Sequence, residues 1–270
     1  MFKEISYNGI KYLKFTPLKK HGFNIIFTTR QGGVSEPPYD SLNLGFHTKD
    51  DYKNVKKNRE LIYNALNYSN GNIVYGEQIH SNKIKLITDK DKGRGVDNPS
   101  NALKNVDGLI STKSDIVLAG HFADCVPIYI VDSKQKYFSL VHSGWQGTYK
   151  LILSKAISFF KENLKSKTDD LFVVLGPAIS GEVYEVSKDL IDKFKLKFKF
   201  TDSYYKNINN KYYLDLKAIN RLIALNNDIK EENLYISKLC TYKRDDLFYS
   251  YRRDQGQTGR MTAFISHLKN

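Results

Sequence analysis

Short apolar runs rich in valine, isoleucine, phenylalanine and tyrosine alternate with amphipathic segments along the chain. The apolar runs predict β-strands over residues 23–29, 73–79, 84–88, 116–122, 126–132, 136–142, 173–175 and 234–238. Apolar residues at helical spacing predict helices over residues 50–66, 148–164, 187–195 and 215–226. Strands and helices alternate irregularly, and no repeat or linker divides the chain. We therefore predict an α+β (mixed α/β) fold, with mixed β-sheets packed against flanking helices in a single domain over residues 1–270.

Two of the predicted strands, 126–132 and 136–142, are close enough in sequence to form a β-hairpin. If Ser133 and Lys134 make a two-residue turn, the antiparallel register places Cys125 opposite His142. Facing residues have Cα atoms about 4.5–5.5 Å apart and lie on the same face of the sheet. A thiol beside an imidazole has three interpretations: two metal ligands, a Cys–His nucleophile dyad, or a chance pairing.

Periodicity does not identify a third group for this site. His80 lies at the end of a predicted strand, and His121 lies in a strand four residues before Cys125, so both remain candidates. The segment after His142 adds a second prediction. Two glycines, the first of them Gly144, separate the strand from a predicted helix, and backbone N–H groups in such a turn can converge on an anion.

The chain carries 42 Lys and Arg against 29 Asp and Glu, which gives a formal net charge of +13 at pH 7. A basic surface with many aromatic residues would suit a nucleic-acid-binding module, which is the non-enzyme alternative. However, 34 of the basic residues are Lys, spread along the chain, and only 8 are Arg. Because Arg is the residue that base and bidentate phosphate contacts favour, we expect a dispersed solvated surface and no nucleic-acid partner.

The sequence also indicates where the protein works. No apolar run reaches the roughly 18 residues that would span a membrane, so no membrane partner is expected. The N-terminus lacks a signal-peptide pattern, and the chain contains only two Cys, Cys125 and Cys240. Without a disulfide framework, the prediction is a protein of the reducing cytoplasm.

Several short motifs, each occurring once, are distributed along nearly the whole chain. They are TTRQGGVS at 28–35, SLNLG at 41–45, QIHS at 78–81, VDG at 106–108, ADCVPI at 123–128, HSGWQGT at 142–148, GPAI at 176–179, SYRRD at 250–254 and TGRM at 258–261. In these motifs the sequence resembles the YfiH or laccase-domain purine nucleoside phosphorylases, a family long described as polyphenol oxidases. The resemblance implies a YfiH-like fold, of the kind also found in cytotoxic necrotizing factor.

The resemblance further implies a metal centre. In this family the His of the Gln-x-His motif, the Cys of Ala-Asp-Cys and the His of the His-x-Gly-Trp motif bind one zinc ion, and here these residues are His80, Cys125 and His142. Two imidazoles and a thiolate suit zinc, and three protein ligands leave a fourth position open, as in catalytic sites. Copper is expected only as an adventitious substitute.

The activity implied by the resemblance is phosphorolysis of adenosine, inosine, guanosine and S-methyl-5′-thioadenosine, with adenosine deamination as a side activity. Its partners are therefore purine nucleosides and inorganic phosphate. The candidate catalytic residues are Asp124, for proton transfer, with Cys125 and His142. The candidate substrate-binding residues are Arg30, Asn43, Gly144, Gln146, Cys240 and Arg252. Gln146 departs from the Arg common in the family, which puts the affinity for phosphate in question.

Two other enzyme classes are weighed against this interpretation. A multicopper laccase needs roughly ten His and Cys ligands, partly as His-x-His pairs, whereas this chain has six His and no such pair. A Cys–His hydrolase with Cys125 as nucleophile and His142 as base predicts activity without metal. The sequence leaves the oligomeric state open.

Overall fold

The computed structural model describes residues 1–198 and 204–268. Within them, the helices are α1 (Tyr52–Leu66), α2 (Trp145–Tyr149), α3 (Ile152–Glu162), α4 (Lys188–Lys197) and α5 (Leu216–Leu225). The strands are β1 (Phe2–Tyr7), β2 (Ile10–Phe15), β3 (Phe23–Thr28), β4 (Ile73–Tyr75), β5 (Ile84–Ile87), β6 (Gly108–Ser111), β7 (Val117–Phe122), β8 (Val126–Asp132), β9 (Phe138–Ser143), β10 (Leu171–Leu175), β11 (Glu185–Val186), β12 (Tyr205–Ile208), β13 (Lys211–Leu214), β14 (Leu234–Ile236) and β15 (Met261–His267).

These strands form two six-stranded mixed sheets and one small sheet. The first large sheet has the order β1-β2-β3-β15-β7-β4, and the second has the order β14-β10-β8-β9-β6-β5. Parallel pairs lie at β4–β7, β10–β14 and β5–β6, and the other pairs are antiparallel. The small sheet has the order β11-β13-β12.

The two large sheets pack face to face, and strand alternation explains how. In β8, Tyr129 and Val131 belong to the core between the sheets, whereas Ile128 and Ile130 belong to a second core under α3, α4 and α5. In β15, Phe264 points away from the central core, toward α1. Both faces of these two central strands are therefore buried, which is why β8 reads as a continuous apolar run.

The resulting order of layers is helix, sheet, sheet, helix, which confirms the predicted mixed α/β single domain with few helices. The predicted strands and helices have observed counterparts, with shifts of a few residues at their ends. Strands β1, β2, β6, β11, β12, β13 and β15 were not predicted. Among the described helices, none has the length and apolar character needed to cross a membrane.

The prediction of one helix over residues 148–164 is wrong. The chain forms α2 directly after Gly144, and Leu151 then adopts a left-handed conformation with φ of 60°, which ends α2 and starts α3. Thr148 does not cap a helix, because it lies inside α2. Its buried hydroxyl instead contacts Ser143 and the amide of Asn220.

The predicted hairpin register is also wrong, by two residues. Pro127 lies opposite His142, and the turn is longer because the carboxylate of Asp132 accepts hydrogen bonds from the backbone N–H groups of Lys134 and Gln135. An even shift preserves the face to which each side chain points. The thiol of Cys125 and the imidazole of His142 therefore still meet, diagonally across the strands.

Candidate metal centre and its cavity

The structure brings together the three residues of the predicted metal centre. One possible ligand atom each from His80, Cys125 and His142 lies within 4.8 Å of the others, and Sγ of Cys125 is 3.9 Å from Nε2 of His80. His80 follows β4, Cys125 lies in the short connection from β7 to β8, and His142 lies near the end of β9. The centre is therefore assembled from both large sheets.

Asp107, at the start of β6, holds this arrangement in place. Its carboxylate accepts a hydrogen bond of 2.9 Å from Nδ1 of His142, which leaves Nε2 of that ring for a metal. The same carboxylate accepts from the backbone N–H groups of residues 79–81 and from the hydroxyl of Ser81. Burial opposes ionisation of this carboxyl, but the bonds from His142 and Ser81 lower its pKa to about 2.

The Cys125 thiol and the His142 imidazole shift each other's pKa. Burial opposes ionisation of the thiol, but the neighbouring His142 outweighs it and lowers the pKa of Cys125. Burial likewise disfavours a charged imidazole, but the Cys125 thiolate and Asp107 raise the pKa of His142. The site thus favours the thiolate, which is the form of cysteine that binds metals.

Gly144 packs directly against the candidate ligands. A Cβ atom at this position would lie 2.8 Å from Sγ of Cys125 and 3.1 Å from Cδ2 of His80. Only glycine lets the chain pass this close. The backbone of His80 itself has φ of 59°, a left-handed conformation that turns the loop after β4 toward the centre.

The metal centre lies in the wall of a cavity of about 750 Å³, within the usual range for small-molecule sites. Aromatic side chains form much of the lining, namely Phe46, Tyr75, Trp145, Tyr184 and Tyr251. Charged and imidazole groups also line it, namely His47, Arg59, Glu77, His121, Asp124, Arg252 and Arg260. The cavity therefore offers flat apolar surfaces beside a metal centre and several cations.

Asp124 lines the cavity beside Cys125, as expected for a catalytic candidate. Its carboxylate oxygens accept hydrogen bonds from the hydroxyls of Thr241 and Ser250 and from the backbone N–H of Arg252. Burial raises the pKa of Asp124, and these hydrogen bonds oppose the increase. Its observed contacts tie the 250–252 segment to the metal centre.

Some of the predicted substrate-binding residues line the cavity, and others do not. Gln146 and Arg252 line the cavity, and the guanidinium of Arg252 lies over the ring of Tyr184. Gly144 is not among the residues that line the cavity, and neither are three further predicted residues, namely Arg30, Asn43 and Cys240. Their roles in binding stay predictions.

Each of these three residues has contacts elsewhere. The guanidinium of Arg30 donates to the carboxylate and backbone carbonyl of Asp40. The buried amide of Asn43 donates to Thr48 and Asp50. The Cys240 sulfur accepts a hydrogen bond of 3.3 Å from the backbone N–H of Ser180. These contacts hold the loops behind the cavity.

His121 was the other candidate for the third ligand, and its two ring nitrogens are used differently. Arg59 donates to Nε2 across 2.8 Å, so Nδ1 carries the proton and donates to Thr262 at 3.2 Å. Burial, with the positive charge of Arg59, lowers the pKa of His121 far below its usual value. His121 is thus a partly buried neutral imidazole, and His80 is the third residue of the candidate metal centre.

Sequence reasoning missed three polar residues around the cavity. Asp107 stood within a quoted motif but received no role, although an aspartate at the start of a buried strand is an unusual signal. Arg260, before β15, likewise lies in a motif, TGRM at 258–261, with no role assigned to it, and Arg59, on α1, lies outside all of the motifs. Arg59 in particular occupies a helix position where a charged residue is normally read as solvent-exposed.

The donor set fits a single zinc ion. Two imidazoles and one thiolate are typical zinc ligands, and Asp107 orients one imidazole as carboxylates do in many zinc sites. Within residues 1–198 and 204–268, this is the one group of three or more His, Cys, Asp or Glu side chains with metal-binding spacing. The described residues therefore supply one mononuclear site and no multicopper cluster.

Comparison with known proteins was made on both sequence and structure. The family model described as multi-copper polyphenol oxidoreductase laccase matches residues 24–268. The chain is 38% identical over 240 residues to the purine nucleoside phosphorylase YlmD of Bacillus subtilis, covering 88% of this chain and 86% of that protein. It is 34% identical over 240 residues to a purine nucleoside phosphorylase of Staphylococcus epidermidis, covering 88% of this chain and 89% of that protein.

Solved structures give the same picture. The fold is similar to YlmD from Geobacillus stearothermophilus and to the hypothetical protein YfiH of Bacillus licheniformis, each with a TM-score of 0.93 at 33% identity. Each alignment covers 99% of both chains. The Neisseria meningitidis protein NMB0706 is similar with a TM-score of 0.80 at 28% identity, also over 99% of both chains.

Proposed function

This chain belongs to the family described as multi-copper polyphenol oxidoreductase laccase, whose members similar to it are named purine nucleoside phosphorylases, and from this premise we propose that it is a zinc-dependent purine nucleoside phosphorylase. The observation that carries the proposal is the grouping of His80, Cys125 and His142 in the wall of an aromatic-lined cavity. The proposed substrates are adenosine, inosine, guanosine and S-methyl-5′-thioadenosine, with inorganic phosphate as the second substrate.

The proposed reaction needs no oxidant. A phosphate oxygen forms a bond to C1′ of the ribose while the N-glycosidic bond breaks. The electron pair of that bond goes to the purine, which also takes up the proton of hydrogen phosphate and leaves as the free base. The sugar leaves as its 1-phosphate. In the proposed side reaction, a water oxygen bonds to C6 of adenosine and the amino group leaves as ammonia. Neither step changes an oxidation state, which suits a metal without redox chemistry.

The side chains of the cavity have separable roles in this proposal. When bound, zinc would supply a Lewis acid at this wall of the cavity. Trp145 and Tyr184 offer ring faces against which a purine can stack. Asp107 fixes the ring of His142, and Asp124 holds the segment that carries Arg252.

The first experiment combines metal content with turnover. Protein purified without added metal is expected to contain zinc close to one ion per chain, and to release free purine from inosine only when phosphate is present. His80→Gln is expected to lose zinc and to lower turnover by roughly 100-fold or more, because one of three ligands is gone. His267→Gln is the matched control, since this ring contacts the Lys136 carbonyl and does not line the cavity.

Other outcomes would contradict the proposal in distinct ways. Turnover by metal-free protein that alkylation of Cys125 abolishes would indicate a Cys–His hydrolase. Bound copper with oxidation of phenols would indicate a laccase. Salt-sensitive nucleic-acid binding that survives His80→Gln, in a protein without turnover, would indicate a binding module.

A further inference from the structure

Arg59 places a positive charge in the cavity wall, and no carboxylate of residues 1–198 or 204–268 pairs with it. It is only 3% exposed, and its donors are used by the backbone carbonyls of Leu44, Gly95 and Val96 and by the ring of His121. Its guanidinium lies between the rings of Phe46 and Tyr75, 4.2 and 4.6 Å from their centroids. All of these partners are neutral, so the charge of Arg59 stays uncompensated and favours an anion nearby.

Arg260 lies in the same wall and has donors to spare. Its Nη1 donates to the carbonyls of Thr258 and Gly259, and within the described part of the chain Nε and Nη2 have no hydrogen-bond partner. Nε and Nη2 form the fork of a guanidinium that binds two oxygens of one oxyanion. Burial lowers the pKa of Arg260, and electrostatic interactions with Cys125 and Asp124 among others oppose this effect.

Gly45 brings the side chains of Arg260 and His47 together. A Cβ atom at Gly45 would lie 2.7 Å from Cγ of Arg260 and 3.1 Å from Cε1 of His47, so both side chains pass directly over this glycine. His47 also lies beside His121, with ring centroids 5.5 Å apart. Burial, with the charges of Arg260 and Arg59, lowers the pKa of His47 to about 4, so its ring is a neutral donor at pH 7.

The negative groups of the cavity do not neutralise this corner. Among the described lining residues the two carboxylates are Glu77 and Asp124. Glu77 pairs with Lys104 at 3.3 Å, and Asp124 is held by the three donors described above. No ion pair joins either carboxylate to Arg59 or Arg260 in residues 1–198 and 204–268. The corner thus combines two cations, unused N–H donors and a neutral imidazole.

We infer that Arg260, with His47 beside it and Arg59 behind it, forms the subsite for inorganic phosphate in this cavity. This inference rests on the proposed function, which requires a phosphate ion in the same cavity as the nucleoside. The fork of Arg260 binds two phosphate oxygens, and the charge of Arg59 lowers the cost of removing the anion from water. Arg260 is then the residue that sets the affinity for phosphate.

The test measures phosphate binding directly as well as turnover, in the zinc-loaded protein. The dissociation constant for inorganic phosphate comes from the rise in melting temperature with phosphate concentration. Arg260→Gln is expected to weaken phosphate binding and to raise KM for phosphate, each by about 10- to 100-fold, with KM for inosine nearly unchanged. Arg260→Lys keeps the charge but loses the fork of two N–H donors. Its phosphate affinity and its KM for phosphate should therefore lie between those of the wild type and those of Arg260→Gln.

Arg221→Gln is the matched control, because Arg221 lies on α5 and pairs with Glu231 outside the cavity lining. If Arg260→Gln does not fold, Arg260→Lys decides by the same measurements. Unchanged phosphate affinity in the folded variants would overturn the subsite even if the wild type is a phosphorylase. Phosphate binding that depends on Arg260, in a protein that cleaves no nucleoside, would support the subsite and refute the proposed function. Adenosine 5′-monophosphate is the second probe. If this nucleotide binds through Arg260 while free phosphate does not bind, the assignment of the subsite to inorganic phosphate is overturned.

Discussion

Asp107 joins the two parts of the chain that carry His80 and His142, the two histidines of the candidate metal centre. On one side its carboxylate accepts a hydrogen bond from Nδ1 of His142. On the other side it accepts hydrogen bonds from three backbone N–H groups and from the Ser81 hydroxyl in the loop of His80. One buried carboxylate therefore sets the orientation of an imidazole and the path of a loop. Carboxylates in this position orient a metal ligand and raise its basicity.

Asp107→Asn is expected to weaken zinc binding by about 10- to 100-fold, as loss of such an orienting carboxylate generally does. Asparagine keeps the size of the side chain, but it places an NH₂ group where only hydrogen-bond acceptors are needed. Competition with a zinc chelator measures the effect. Asp115→Asn is the control, since Asp115 is an exposed partner of Lys92 away from the cavity. Zinc affinity equal to that of the wild type would show that Asp107 does not support the centre.

At the scale of elements, the junction of β9 and α2 is the most constrained segment near the centre. His142 lies one residue before the end of β9, and Gly144 caps the N-terminus of α2 while packing against Cys125. We predict that Gly144→Ala displaces the ligands, because its new methyl group would lie 2.8 Å from Sγ. Gly71→Ala is the control, since the nearest atom to a Cβ there is 3.8 Å away. Zinc content per folded chain should fall only in Gly144→Ala, and normal zinc content in that variant would contradict the packing argument.

Strand β8 carries a strong local signal, whereas the partners of β15 are distant in sequence. Strand β8 was recognised because it is buried on both faces and reads as an unbroken apolar run. The pairings of β15 with β3 and β7 join segments more than 100 residues apart, and no local pattern encodes them. On α1, Asn58 and Arg59 are buried because polar loop atoms pack against them, so hydrophobic periodicity missed that face.

The same distinction holds for the candidate site. The Cys125–His142 pair followed from one hairpin, and it survived a wrong register because the error was an even number of residues. His80 comes from the other large sheet, and the resemblance to a known family selected it over His121. Arg260 could be found only in the structure, because its free donors depend on how β15 meets the loop at Gly45.

At the scale of the whole molecule, the metal centre bridges the two large sheets. His80 follows a strand of the first sheet, Cys125 lies where the chain crosses to the second, and His142 belongs to the second. The cavity therefore depends on the packing of these sheets. On the outer face of the first sheet, toward α1, His121 of β7 is neutral and is hydrogen-bonded through both ring nitrogens.

His121 predicts how the free energy of unfolding changes with pH. Its pKa in the folded protein lies well below 6.5, because burial and Arg59 disfavour a charged ring, whereas in the unfolded chain it is about 6.5. Below that pH the unfolded state binds a proton that the folded state does not, so stability falls as pH falls, by up to about 1.4 kcal/mol per pH unit. His47 adds to this loss until the pH reaches about 4, its own folded pKa.

His121→Gln removes the titrating ring while its side-chain oxygen can still accept from Arg59. The free energy of unfolding, measured with denaturant between about pH 7 and pH 5, should then fall less steeply with pH than in the wild type. The difference in slope should correspond to close to one proton bound on unfolding. Arg221→Gln, which removes a group that does not titrate in this range, should keep the wild-type slope. A slope unchanged by His121→Gln would mean that the folded protein protonates this ring. The statement that His121 is a neutral partner of Arg59, on which the uncompensated charge in the cavity wall depends, would then be wrong.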